Sequence, residues 1–203
     1  MNSTIDALIL AAGKSTRMGS TKSLLNWRGE ELINYQINTL IKAGCDRINL
    51  VLGYDYENIL KKINKIDINI IYNKDFEKGK SSSILSGINS INNKNKNLLM
   101  IAVDQPRPLW FLKSIMQFHI NKKAIISAPL FDNKRGHPVI FNHTFYKNIL
   151  KINQYKNGLK DIFRENNSLV KTIDINSQWT HLDLNDKKSY ELSLGLNLKK
   201  NEE

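Results

Sequence analysis

A single cysteine, Cys45, stands in this 203-residue chain. That excludes an internal disulfide and a zinc site built from cysteines. Cys45 follows Gly44 at the end of a helical pattern and reads as a small core hydrophobe. Only four prolines and ten glycines occur, and no stretch is rich enough in Gly, Pro or Ser to mark a linker. No internal repeat is present. No apolar run reaches the length needed to span a bilayer. The N-terminus lacks the basic, apolar and small-residue succession of a signal peptide, so a cytoplasmic location is expected. No Ser-His-Asp or Cys-His set stands out.

Two phosphate-binding motifs are missing as well. Gly13-Lys14-Ser15 matches the tail of a Walker A loop, but the position five residues before Gly13 is Leu8, not glycine. The Gly-x-Gly-x-x-Gly dinucleotide pattern is absent.

What is present is an ordinary globular composition, 41% hydrophobic and 24% charged, with a net charge of +11. The length suits one domain with a substantial core, expected over residues 1–198, and a charged tail over 199–203. The excess of Lys invites a nucleic-acid reading. However, Lys is scattered through the chain beside abundant Asn and Ile, and no dense basic run with interleaved aromatics appears. An anionic small molecule fits the charge equally well.

Apolar runs and helical periodicities alternate. Strands are expected at residues 5–10, 48–52, 68–72, 98–103 and 124–129, and helices at 32–44, 56–66, 84–91 and 109–120. This succession predicts a mostly parallel α/β sheet covered on both faces. Beyond residue 130 the rhythm changes: a turn at 134–138 feeds a short strand at 139–141. Short helices are then expected at 145–152 and 159–163, a strand at 169–175 and a last helix at 187–196.

In an open parallel sheet, ligands gather outside the carboxyl ends of the strands. Three polar segments converge there. The loop after the first strand carries two glycines, Gly13 and Gly19, and three cations, Lys14, Arg17 and Lys22. Small residues let backbone N–H groups approach phosphate oxygens, and fixed cations neutralise them. Gly79 followed by Ser81, Ser82 and Ser83 opens a helix, where N–H groups and hydroxyls can contact an anion or a base, or simply cap the helix. Asp104 ends the 98–103 strand, where its carboxylate can hold Mg²⁺ or cap the next helix.

The run Leu10-Ala11-Ala12-Gly13, Ser15, Arg17-Met18-Gly19 and Lys22 resembles the Leu-Ala-Ala-Gly-x-Ser-x-Arg-Met-Gly-x-x-Lys loop of the MobA-like nucleotidyltransferases. Gly79 to Ser83 matches the family's Gly-x-x-x-Ser stretch, and Asp104-Gln105-Pro106 its Asp-Gln-Pro motif. Arg135-Gly136-His137-Pro138 is similar to the molybdenum-cofactor cytidylyltransferase branch, near the acceptor. Two segments depart from the pattern. Asp183 and Asn185 survive from the terminal Asp-x-Asp/Asn-Thr-Pro-Glu-Asp, and only Gly158 is kept from a Gly-Asp-x-Gly-Ala-Arg-like stretch.

The resemblance implies a three-layer α/β/α sandwich with a Rossmann-like sheet, of the nucleotide-diphospho-sugar transferase type. It also implies attack by an acceptor phosphate on the α-phosphorus of a nucleoside triphosphate, releasing pyrophosphate. Arg17, Lys22 and Asp104 would carry catalysis. Leu10, Ala11, Ala12, Gly13, Lys22, Gly79, Ser81 and Ser82 would bind the nucleotide, and Arg135, Gly136, His137 and Pro138 the acceptor. Asp104 and Asn185 would hold Mg²⁺. The Ala-Ala-Gly form of the loop points to CTP, with molybdopterin as the acceptor and a molybdoenzyme as a further partner. A guanylyltransferase, a sugar-1-phosphate nucleotidyltransferase and a non-catalytic binding module remain alternatives.

Overall fold

The computed structural model describes residues 4–64 and 67–196. The expected tail at 199–203 and the end of the helix expected at 56–66 lie outside the described residues.

Strand β1 (Ile5–Ala11) is buried along its whole length, which fits its near-continuous apolar run. A glycine loop with two 3-10 turns (Thr16–Met18 and Lys22–Leu24) leads to a small hairpin, β2 (Asn26–Trp27) and β3 (Glu30–Glu31). Then follow α1 (Leu32–Ala43), β4 (Ile48–Leu52), α2 (Tyr56–Lys62), β5 (Asn69–Tyr72), α3 (Lys80–Asn89), β6 (Asn97–Ala102) and α4 (Leu109–Asn121). The last third holds β7 (Ile126–Phe131), β8 (Lys134–Arg135), β9 (Val139–Phe141), α5 (Tyr146–Ile149), α6 (Leu159–Glu165), β10 (Val170–Asp174) and α7 (Lys187–Leu194).

The main sheet runs β10-β7-β9-β6-β1-β4-β5, with β8 paired to β7. β5, β4, β1 and β6 are parallel, whereas β9 runs antiparallel between β6 and β7. The sheet is therefore mostly parallel, as expected. Alternation along β1 splits the core into two layers. Ile5, Ala7, Ile9 and Ala11 join the α1 and α4 residues Ile33, Ile37, Phe111 and Ile115. Leu8, Leu10 and Ala12 join Ile84 and Ile88 of α3 with Ile149 and Ile162 of α5 and α6. Each fully buried Leu, Ile or Phe among them contributes roughly 1.5–3 kcal/mol relative to exposure. This is the three-layer sandwich. Gly87 lets α3 lie flat on the sheet, since a Cβ there would stand 2.5 Å from Leu8 Cδ1.

Two features of this topology position the site. Chain order reverses between β1 and β6, so a crevice opens at their carboxyl ends. The antiparallel β9 starts at that same edge, which delivers residues 135–138 to it.

Several boundaries differ from the sequence expectation. The second helix ends at Lys62 because Asn34 of α1 bonds there: its Nδ2 donates to Lys62 O at 2.9 Å, and its Oδ1 accepts from Asn64 N at 3.1 Å. The helix expected at 145–152 is broken, with 3-10 turns at His143–Phe145 and Ile152–Gln154 flanking the single turn of α5. Asp104 does not cap α4, whose N-cap is Pro108.

Candidate active site

The loop after β1 is fixed at both sides. Val103 N donates to Leu10 O at 3.0 Å, and Tyr54 N donates to Ala12 O at 3.1 Å, which ties the loop to the ends of β6 and β4. Ser15 and Gly19 both take the left-handed backbone, φ 53° and 69°. The loop thereby turns sharply and folds Lys22 inward, its amide donating to Ser15 Oγ at 3.4 Å. Lys22 is buried, and its Nζ lies 2.7 Å from Asp104 Oδ2.

These residues line a cleft of about 370 Å³ together with Leu10, Ala11, Ala12, Gly13, Arg17, Gly79 and Asn185. Arg17 Nη2 donates to Asn185 Oδ1 at 3.5 Å, so the cleft holds two cation–oxygen pairs. The charges and the exposed loop backbone can receive a polyphosphate. Among the described residues no cluster of three or more His, Cys, Asp or Glu forms a metal cage. Asp104 and Asn185 do supply hard oxygen donors in one cleft. That suits Mg²⁺ or Mn²⁺, which takes one or two protein ligands and fills the rest with phosphate and water.

A second cavity, about 680 Å³, lies beside the first and is lined by Arg135, Gly136 and His137. Its other walls come from α3 (Ser81, Ile84), the segment Lys156–Lys160 and Phe163 of α6. Pro138 is buried behind it, joined to His137 by a cis peptide bond. Burial first, and then the charges of Lys80 and Arg107, push the pKa of His137 down to about 4. Its imidazole is neutral near pH 7.

The serines divide differently from the sequence expectation. Ser81 lines the second cavity and Ser83 the first. Ser82 lines neither: its one hydroxyl hydrogen is shared between Asp75 O and Gly79 O, each 2.8 Å away, and its oxygen accepts from Asn73 Nδ2 at 3.0 Å. It fastens the loop. All other expected residues of the nucleotide and metal groups meet in the first cleft.

The site also rests on a residue that sequence reasoning missed. Arg107 is wholly buried and, among the described residues, forms no salt bridge with a carboxylate. Its Nε donates to His137 O at 3.0 Å, Nη1 to Pro106 O at 3.0 Å and Leu182 O at 2.8 Å, and Nη2 to Thr180 O at 3.2 Å. Desolvation lowers its pKa to about 10, still cationic at neutral pH. Five fixed donors let one guanidinium join three segments that meet at this edge of the sheet. The available signal was a lone cation between Pro106 and Pro108, followed by an apolar run. Gln105 adds a further brace, accepting from Ala102 N at 3.0 Å and donating to Asp183 Oδ1 at 2.9 Å. Asp183 therefore supports the site from behind, while Asn185 lines it.

The sequence profile of the MobA-like NTP transferase domain matches residues 7–170. The chain belongs to the MobA-like NTP transferase family. Among relatives, this family member is 29% identical over 144 residues to the molybdenum cofactor cytidylyltransferase of Escherichia coli, covering 68% of this chain and 70% of that one. It is 26% identical over 189 residues to the nicotine blue oxidoreductase of Paenarthrobacter nicotinovorans, covering 89% and 91%. In three dimensions, the MobA-like chain superposes on Rv0371c from Mycobacterium tuberculosis with a TM-score of 0.83 at 18% identity, covering 97% and 100%. A manganese complex of Rv0371c gives a TM-score of 0.78 at 19% identity, covering 94% and 98%. At such identities the superposition speaks for the fold alone.

Proposed function

We propose that the chain is a cytidylyltransferase: it moves CMP from CTP to a phosphorylated acceptor, molybdenum-molybdopterin, and releases pyrophosphate. The observation that carries this reading is the Lys22–Asp104 pair, joined across the crevice between β1 and β6 beside a glycine loop. Kinship with the Escherichia coli cytidylyltransferase and the Ala11-Ala12-Gly13 form of the loop favour CTP and this acceptor. The name of the Paenarthrobacter relative belongs to a different reaction class. A part-buried lysine–aspartate pair beside a glycine loop favours phosphoryl chemistry here.

In this reaction an oxygen of the acceptor phosphate bonds to the α-phosphorus. The bond from that phosphorus to the oxygen bridging to the β-phosphate breaks, and pyrophosphate leaves with the electron pair. The nucleophile is already ionised near neutral pH, so no general base is needed. Positioning and charge neutralisation do the work. Lys22 and Arg17 bear on the triphosphate, and the backbone of Leu10 to Gly13 packs against the nucleotide. Asp104 and Asn185 would hold Mg²⁺, which when bound supplies charge neutralisation and orientation at phosphate oxygens. Arg135, Gly136 and His137, in the second cavity, would receive the acceptor, with the molybdoenzyme that uses the product as a later partner.

Thermal melting with CTP, GTP, UTP and ATP in Mg²⁺ tests the nucleotide, because a ligand that binds only the folded state raises its stability. Stabilisation by CTP alone is expected. Stabilisation by GTP or UTP instead would shift the reading to a guanylyltransferase or a sugar-1-phosphate transferase. Stabilisation by none would overturn it.

A further inference from the structure

The two cavities share one side chain. Of the described residues lining them, only Gly79 and Lys80 line both, and Gly79 has no side chain. Lys80 also lines the narrow gap of about 20 Å³ between them, with Gln105, His137 and Leu159. It is the first residue of α3, where the helix adds partial positive charge of its own.

The other cations around these cavities are largely engaged. Lys22 holds Asp104, Arg17 reaches Asn185, Lys78 pairs with Asp75 at 2.9 Å, and Arg135 Nη2 donates to Asn167 Oδ1 at 2.8 Å. Among the described residues the Lys80 ammonium has no ion pair or side-chain hydrogen bond. Lys156 and Lys160 also bring charge, but they line the second cavity alone. His137 stands at the seam in neutral form, so the cation between the two cavities is Lys80.

We propose that Lys80 is a catalytic residue that touches both substrates, bridging the acceptor phosphate and the α-phosphate of the nucleotide. The assignment rests on the nucleotidyl-transfer reading above. Two anions must approach bonding distance there, and a cation common to both offsets their repulsion as the new P–O bond forms and pyrophosphate departs. Lys80 transfers no proton in this step.

Two probes address the cavities separately. CTP with Mg²⁺ fits the first. Phenyl phosphate fits the second, since it joins a phosphate to an apolar body and that cavity combines cations with Ile84, Val139 and Phe163. Binding of each is measured by titration calorimetry on the unaltered protein and on K80M, K80R, K22M and R135M, with melting curves to verify folding. Lys80 is exposed, so K80M is expected to fold. K80M should weaken both probes about tenfold, the usual value of one hydrogen bond to a charged group. K80R should restore most of each loss. K22M should weaken CTP alone, and R135M phenyl phosphate alone. If K22M and R135M behave so while K80M alters one probe or neither, the Lys80 assignment is overturned and the function stands. If the unaltered protein binds neither probe, the function proposal fails and the Lys80 assignment fails with it.

Discussion

Lys22 Nζ and Asp104 Oδ2 lie 2.7 Å apart although 82 residues separate them in the chain. One belongs to the loop after β1 and the other to the end of β6, adjacent strands on either side of the point where strand order reverses. Their meeting defines the cleft. Asp104→Asn keeps the shape and removes the charge, so turnover should fall by about 10²–10³-fold. The pair borders an open cleft, so the stability change should be about 1 kcal/mol or less. Pyrophosphate release and a denaturant melt on the same preparation check both. Full activity in the variant would remove Asp104 from the reaction.

Arg107 holds four backbone carbonyls from three segments. Arg107→Met leaves buried carbonyls without donors and should cost roughly 3 kcal/mol. Arg107→Lys should recover only part, because an ammonium cannot reproduce the planar fork. Urea unfolding followed by circular dichroism measures this. A loss below 1 kcal/mol in Arg107→Met would mean that the three segments hold together without it.

Gly136 faces the same knot. A Cβ there would stand 2.0 Å from Thr180 O, which already accepts from His137 N at 3.3 Å and from Arg107. Gly136→Ala should therefore destabilise by about 1–3 kcal/mol and weaken phenyl phosphate binding, as the wall of the second cavity shifts. Unchanged stability and binding would show that the 134–138 turn can relax outward.

His119 of α4 is almost fully buried, with Nδ1 2.8 Å from Ser127 Oγ. Burial lowers its pKa to about 4, below the ordinary 6.5. Between these values the unfolded chain binds the proton and the folded one does not, so stability falls as pH drops through this window. At pH 5 the contribution is on the order of 2 kcal/mol relative to pH 7. His119→Gln can keep the bond to Ser127 without titrating, and it should lose less stability than the unaltered protein between pH 7 and pH 5. Parallel losses in the two proteins would contradict the assignment.

Much of this architecture was legible before the fold. The runs of β1, β4 and β6 read as strands because both faces of each are covered, so their side chains are apolar except for Asp6, Asn49 and Asn97. The glycine loop, Gly79 and Asp104 could be brought together from strand order alone. The less legible parts depend on contacts distant in sequence. Nothing near Lys62 announces that Asn34 will stop the helix there. The β2–β3 hairpin turns on Arg28 and Gly29, φ 58° and 96°, and the β7–β8 hairpin on Asp132 and Asn133, φ 49° and 56°; both are two-residue connections too short for periodicity to reveal. The division of Ser81, Ser82 and Ser83 among two cavities and a loop brace follows from helical rotation, about 100° per residue, which a run of identical residues conceals. Arg107 was hidden because its partners are carbonyls, which every residue has.

The most direct measurement of the central claim is transfer of label from α-³²P-CTP to molybdenum-molybdopterin in Mg²⁺, with pyrophosphate release followed in the same reaction. Labelled acceptor and pyrophosphate are expected in equal amounts, reduced about 10²–10³-fold in Asp104→Asn and strongly in Lys22→Ala. Neither product above the level of Asp104→Asn, in a protein that melts cooperatively, would contradict it.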